Sequence, residues 1–143
     1  MVGGWKERGL RRIAALAAEL VADAVPCPEV HALTFVPPDG DRLLRRGHHP
    51  AEQLARELGR RWGVPVERML ARGGSPLRQR SLSLVERRLN VRGAFRGIRP
   101  ASRTVCLVDD VYTSGATANA AALALRKAGA RRIEVICLAR VVR

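Results

Sequence analysis

Two adjacent carboxylates, three hydroxyls and a glycine crowd into one short stretch of this 143-residue sequence, Asp109-Asp110-Val111-Tyr112-Thr113-Ser114-Gly115-Ala116-Thr117. The four residues ahead of the acids, Val105 to Val108, are all apolar, so the acids emerge at the end of a buried strand. An alanine-rich run from Ala116 to Ala128 follows and stops at Gly129, the pattern of a helix. In an open α/β sheet, ligands bind beyond the carboxyl ends of the strands. Carboxylates placed there accept hydrogen bonds from a sugar diol or hold the hydrated shell of a magnesium ion. The turn from Thr113 to Thr117 offers backbone amides, hydroxyls and a glycine that admits an anion to the main chain, all at the positive end of a helix dipole. Diol acceptors beside a phosphate cradle predict a ribose 5-phosphate ligand. Helix capping by Asp110 or Thr113 would account for one such residue, not for the whole set. Neither a six-residue glycine fingerprint nor a Gly-Lys-Ser/Thr triplet is present.

The remaining chain supplies the frame. From Leu10, apolar residues at Ile13, Ala14, Ala17, Leu20, Val21 and Ala24 have the spacing of a helix that buries one face, ended by Pro26 and Pro28. His31 to Val36 reads as a short strand halted by Pro37, Pro38, Asp39 and Gly40. Pro50 opens a second helix in which Leu54, Leu58 and Trp62 lie four apart before Gly63 closes it. A strand is expected around Val66 to Leu70, then a long loop over 71–103 that contains a small helical island with Ser83 and Glu86 at capping-box spacing. Thr104 to Val108 and Ile133 to Ala139 are uniformly apolar strands. Apolar strands alternating with helices define an α/β fold, a parallel sheet covered on both faces. A chain of this length makes one domain, residues 1–143, without internal repeat or linker.

Composition narrows the partners. Apolar residues make up 47% and charged residues 27%, which excludes disordered and collagen-like classes. Aromatic residues are only 3%, so the core is aliphatic and a base-stacking platform is disfavoured. The net charge of +13 points to an anionic partner, and all but two of the basic residues are arginine. Nine arginines face the single acid Glu86 over 72–103, a segment that would repel itself unless it met phosphates. Cys27, Cys106 and Cys137 are far apart and lack paired zinc spacing, so they read as packed thiols of a reducing, cytoplasmic protein. Glu19 and Asp23 interrupt the first apolar stretch, which excludes a signal peptide, and no apolar run reaches membrane-spanning length.

The 105–117 stretch resembles the phosphoribosyl pyrophosphate (PRPP) motif of type I phosphoribosyltransferases. Further residues narrow the resemblance to the ComF family, associated with DNA uptake in competent bacteria: Arg46-Gly47 with Ala51, Leu54 and Ala55, then Gln79, Leu82-Ser83, Glu86-Arg87, Asn90, Gly93-Ala94-Phe95 and Leu138-Ala139-Arg140. The likeness runs from about Trp5 to the C-terminus. It implies that Asp109 and Asp110 bind the ribose hydroxyls at the catalytic centre, and that Thr113, Ser114, Gly115, Ala116 and Thr117 hold the 5-phosphate. Val36, Pro37 and Pro38 would begin the pyrophosphate loop, with Mg2+ bound together with PRPP and no metal ligated directly by the protein alone. The arginine-rich stretch from Arg72 to Arg99 would be a mobile flap, in which Arg78, Arg80, Arg87, Arg88 and Arg92 face either the leaving group or DNA.

The sequence departs from the family where Gly47 is followed by His48, His49 and Pro50 instead of Phe-Asn-Gln. The histidine pair has the chemistry of a base or a ligand, although an exposed pair beside a helix start is more often inert. Full-length family members also carry an N-terminal cysteine-rich zinc module, so the resemblance implies either a short member or a chain that begins after that module. The implied function is transfer of ribose 5-phosphate from Mg-PRPP to an acceptor. A non-catalytic PRPP sensor or DNA-binding accessory protein is the other reading, and homo-oligomerisation stays open.

Overall fold

The computed structural model describes residues 2–38, 49–73, 94–112 and 114–140. Its elements are α1 (Val2–Ala24), β1 (Ala32–Phe35), α2 (Pro50–Trp62), β2 (Leu70–Arg72), β3 (Phe95–Gly97), β4 (Thr104–Tyr112), α3 (Ala116–Lys127) and β5 (Arg132–Arg140). Three strands form a parallel sheet in the order β1-β4-β5. Val105, Cys106, Leu107 and Val108 of the central strand are wholly buried, which explains their uninterrupted apolar run.

Each face of that sheet has its own layer. On one side Ala120, Ala121, Ala124 and Leu125 of α3 pack with Val105 and Leu107. On the other, Ala17, Ala18 and Val21 of α1 and Leu54, Ala55 and Leu58 of α2 pack with Leu33, Cys106 and Val108. Each fully buried Leu or Val contributes about 2 kcal/mol in the transfer of its side chain from water. The expected α/β fold with both sheet faces covered is therefore the observed one. The second helix also has the expected bounds, and Gly63 takes the left-handed conformation (φ 66°) that lets its amide reach the Gly59 carbonyl.

Three details differ from the sequence reading. In α1 only part of the apolar set faces inward: Ala14, Ala17 and Val21 are buried, whereas Ile13 and Leu20 point to solvent. The small alanines allow close approach to α2, and the larger side chains fall on the solvent side. Near Val66 there is a single parallel bridge to Leu33, and the next regular strand begins only at Leu70. That strand leaves the main sheet for an antiparallel ribbon with β3, paired from Leu70 with Gly97 to Arg72 with Phe95. The two ends of the expected 71–103 loop are thus strand, and its interior, including the Ser83 and Glu86 pair, lies outside the described residues. Finally, β4 continues past Val108 through both acids to Tyr112, because β5 pairs with it as far as Arg140.

The cysteines are free, and Cys106 is buried in the sheet. Burial pushes its thiol up to about 12, so it behaves as a small apolar side chain.

Candidate functional site

The site is built where β1 ends beside the middle of β4. Val36 continues the pairing of β1, donating its amide hydrogen to the Val108 carbonyl at 3.0 Å. This places Val36, Pro37 and Pro38 next to Asp109, the first residue of β4 after its apolar run. The carbonyl of Pro37 accepts a hydrogen bond from Arg72 Nε at 3.0 Å. The Arg72 guanidinium also lies over the Phe95 ring, 4.8 Å from its centre, and acts electrostatically on Asp109. Arg72 therefore ties the β2–β3 ribbon to both the proline turn and the acid. Sequence reasoning placed Arg72 at the start of a loop. Only the long-range pairing of β2 with β3 reveals it as a fixed wall of the site.

Asp109 is one of two buried polar side chains among the described residues, the other being Thr34. Its Oδ1 accepts the amide hydrogen of Asp110 at 2.8 Å. Burial pushes the Asp109 carboxyl up to about 7, and the neighbouring Asp110 side chain adds to the rise through its hydrogen bond and charge. The Asp110 amide and the Arg72 charge pull in the other direction, without cancelling the rise. A carboxylate kept in so dry a place with a second acid beside it carries a standing cost. Such costs concentrate at functional sites.

Beyond Tyr112 the chain turns into α3 through Ser114 and Gly115. Gly115 is the N-cap, with φ 78°, a conformation that side chains rarely adopt. A side chain there would also run into Tyr112, whose Cζ would stand 2.9 Å from an added Cβ. Asn119 donates the first helical hydrogen bond, to the Gly115 carbonyl at 2.8 Å, so the amides just ahead of it have no partner within the helix. Ser114 Oγ accepts a 3.4 Å hydrogen bond from the Ala116 amide. Among the described residues only Ser114 reaches an amide of the first turn of α3, so helix capping does not explain Asp110. The structure brings Asp109, Asp110, Ser114, Gly115, Ala116 and Thr117 together where β4 passes into α3, with Val36, Pro37 and Pro38 directly after the adjoining strand β1. Thr113 and the arginines Arg78, Arg80, Arg87, Arg88 and Arg92 lie outside the described residues.

His49, expected to be exposed, is half-buried at the start of α2. Its Nδ1 lacks a hydrogen-bond partner and stands 3.8 Å from Glu52 Oε2. His48 is outside the described residues. A groove of about 730 Å3 runs from His49 between α1 and α2. Arg11, Arg12, Arg56 and Arg60 line it together with Glu52 and Glu57, and Arg56 and Arg60 are paired at 2.7 Å with Glu52 and 2.8 Å with Glu57. Two of its four arginines are thus bound to acids of the same helix, and the furrow lacks the uniform sign of an anion site. Among the described residues no group of three or more His, Cys, Asp or Glu side chains is placed to hold a metal, and no helix is long and apolar enough to cross a membrane.

A parallel sheet layered by helices, with paired acids leading into a glycine turn at its carboxyl edge, is the type I phosphoribosyltransferase fold. Two solved structures share it. Glutamine PRPP amidotransferase from B. subtilis, complexed with ADP and GMP, superposes with a TM-score of 0.56 at 19% identity, over 90% of this chain and 26% of that one. A structure described as the allosteric regulatory enzyme of purine biosynthesis gives 0.57 at 19% identity, over 87% of this chain and 25% of that one. In sequence, the chain is similar to Competence protein F of Haemophilus influenzae (strain ATCC 51907 / DSM 11121 / KW20 / Rd), 34% identical over 141 residues. That similarity covers 95% of this chain and 62% of the relative, so the chain spans somewhat under two thirds of the relative's length. No family model matches. The ComF resemblance read from the residues is borne out: the chain is ComF-like in sequence and a phosphoribosyltransferase in fold.

Proposed function

We propose that this protein binds PRPP with Mg2+ and transfers ribose 5-phosphate to an acceptor, in a role connected with DNA uptake. The observation that carries the reading is the buried Asp109 beside Asp110, followed at once by the left-handed Gly115 turn. The acids accept hydrogen bonds from the ribose hydroxyls, and the amides and hydroxyls of 113–117 hold the 5-phosphate. The backbone of Val36, Pro37 and Pro38, fixed by Arg72, lines the diphosphate side. Two carboxylates without a third described ligand suit Mg2+, which keeps several waters and is bound through one or two carboxylates plus substrate phosphates. When bound, the ion supplies positive charge against the diphosphate.

In the transfer, the bond from the anomeric carbon to diphosphate breaks with its electron pair leaving on the diphosphate, and a bond to the acceptor's nucleophile forms. Positive charge on the ribose ring is stabilised by Asp109 and Asp110, and the growing negative charge by arginines of the sequence between β2 and β3, Arg78, Arg80, Arg87, Arg88 and Arg92. That segment leaves and rejoins the described chain beside the site, where the Gly73 amide donates to the Ala94 carbonyl at 2.7 Å. On this reading the unit spans residues 1–143 and works in the cytoplasm.

Calorimetry with PRPP and Mg2+ tests the proposal. Binding is expected, and because the acceptor carboxylate must be ionised, affinity should fall about tenfold per pH unit as the pH drops from 7 towards 5. Absence of binding at pH 8 would refute the reading. The net charge of +13 favours a second one, in which the pocket serves sensing and the arginines engage DNA. Its signature is DNA binding that weakens steeply with salt and disappears when Arg87 and Arg88 become alanine, with no diphosphate released on a panel of bases and amines.

A further inference from the structure

Helix α1 has two apolar faces, and the fold uses only one. Ala14, Ala17, Ala18 and Val21 are buried against α2 and the sheet. About a third of a turn away around the helix stand Ile13, Leu16 and Leu20, which are 64%, 58% and 58% exposed. With the exposed Gly9 they recur at intervals of four, three and four residues. That is the seam spacing by which one helix packs along another, small and large residues alternating with the holes of the partner. The occupant of the seam is therefore a helix.

The charges beside the seam say which helix. On one flank lie Arg12, then Glu19 and Asp23, all exposed, so this border is basic towards the N-terminus and acidic towards the C-terminus. On the opposite border the described side chains are Ala17, itself buried against the core, and Ala24, and neither carries a charge. A parallel partner would set Arg12 and Glu19 against alanines. An antiparallel copy sets like border against like border with the order reversed. With Ile13 facing Leu20 of the second copy, Arg12 falls between the partner's Glu19 and Asp23, and the same pairs repeat across the two-fold axis.

We infer that two copies of this chain associate through antiparallel pairing of their α1 helices, with Ile13, Leu16 and Leu20 as the seam and Arg12 against Glu19 and Asp23 as its borders. The contact is small beside the roughly 800 Å2 per partner of a standard interface, and the chains repel through their net charge, so the dimer belongs to the micromolar range. The seam does not draw on the PRPP reading. Either can fail without the other.

Sedimentation of the purified chain between about 1 and 200 μM should show mass rising with concentration from 15.6 kDa towards twice that value. Leu16→Glu with Leu20→Glu should remain monomeric throughout, with an unchanged circular dichroism spectrum and unchanged PRPP titration, since both residues face away from the core and the site. Arg12→Glu and Glu19→Arg should each weaken self-association several-fold, by setting like charges together twice per dimer. Mixed in equal amounts, these two variants should associate with each other better than either does with itself, a result that only antiparallel pairing yields. A wild-type chain that stays monomeric, a dimer that survives the paired glutamates, or a mixture no better than its components would each overturn the inference.

Discussion

Asp109→Asn is expected to make the ligand-free protein more stable at pH 8 while strongly weakening its affinity for Mg-PRPP. The carboxyl titrates at about 7 in the folded chain, against 3.8 for an unperturbed aspartate. The folded state thus holds its proton more tightly than the unfolded state. The contribution of Asp109 to stability is greatest below pH 4, declines as the pH rises, and has paid the whole penalty above about pH 7. A rise of this size corresponds to about 4 kcal/mol at most, and relaxation around the pair brings the expected gain for asparagine at pH 8 to about 2 kcal/mol. In a chain of this length that raises the melting temperature by roughly 5 °C, whereas near pH 4 wild type and variant should melt together. Asparagine retains an oxygen for the Asp110 amide, so the local backbone has no reason to move. Binding behaves oppositely. Loss of a charged acceptor for the ribose hydroxyls should weaken PRPP by about a hundredfold. Asp110→Asn provides the comparison: it too should lose binding, yet it removes two causes of the raised Asp109 pKa, so the fall in stability between pH 4 and 7 should shrink without disappearing. Thermal melts of all three proteins across pH, alongside calorimetry, measure both effects. A pH-independent wild-type melt would show that Asp109 is not held in a dry site.

The contrast between Asp109 and its surroundings also marks what could be read in advance. Four apolar residues followed by two acids and a glycine turn are local events, and β4, the turn and α3 were legible because neighbours in sequence create them. The same is true of α2, where Pro50, the four-residue spacing of Leu54, Leu58 and Trp62, and Gly63 specify start, buried face and stop. What escaped the sequence depends on distant partners. Whether Asp109 and Asp110 end a strand or lie within it is decided by β5, which pairs with β4 as far as Arg140. Arg72 became part of the site only because β2 finds β3 across the segment between them. In α1, Ile13 and Leu20 satisfy an amphipathic pattern as well as Ala14 and Val21 do. Alanine contributes little to apolar periodicity but permits the close approach to α2, so the side chosen for burial is the one with the smaller residues.

Gly115→Val should weaken PRPP binding by at least thirtyfold and lower the melting temperature by roughly 5–10 °C, a loss of about 2–3 kcal/mol. Crowding of the cradle alone would leave the fold intact. The geometry adds a cost in stability, for two separable reasons. First, φ at this position is 78°, and a β-branched residue in the left-handed region is strained by about 1–2 kcal/mol. Second, the new side chain would collide with the Tyr112 hydroxyl and stand against its ring. Tyr112 is not free to yield without consequence, because the Arg140 guanidinium lies over its ring at 5.8 Å from the opposing position on β5. The chain must therefore either displace Tyr112 or rotate the turn out of the left-handed region. Rotation carries the amides ahead of Asn119 away from a common centre, and a phosphate loses several donors at once. Adding Tyr112→Ala separates the two causes: it relieves the collision and should restore part of the melting temperature, while the strain in φ persists and PRPP binding stays weak. Full recovery of binding in that double variant would mean that the tyrosine, and not the backbone conformation of Gly115, governs entry of the phosphate.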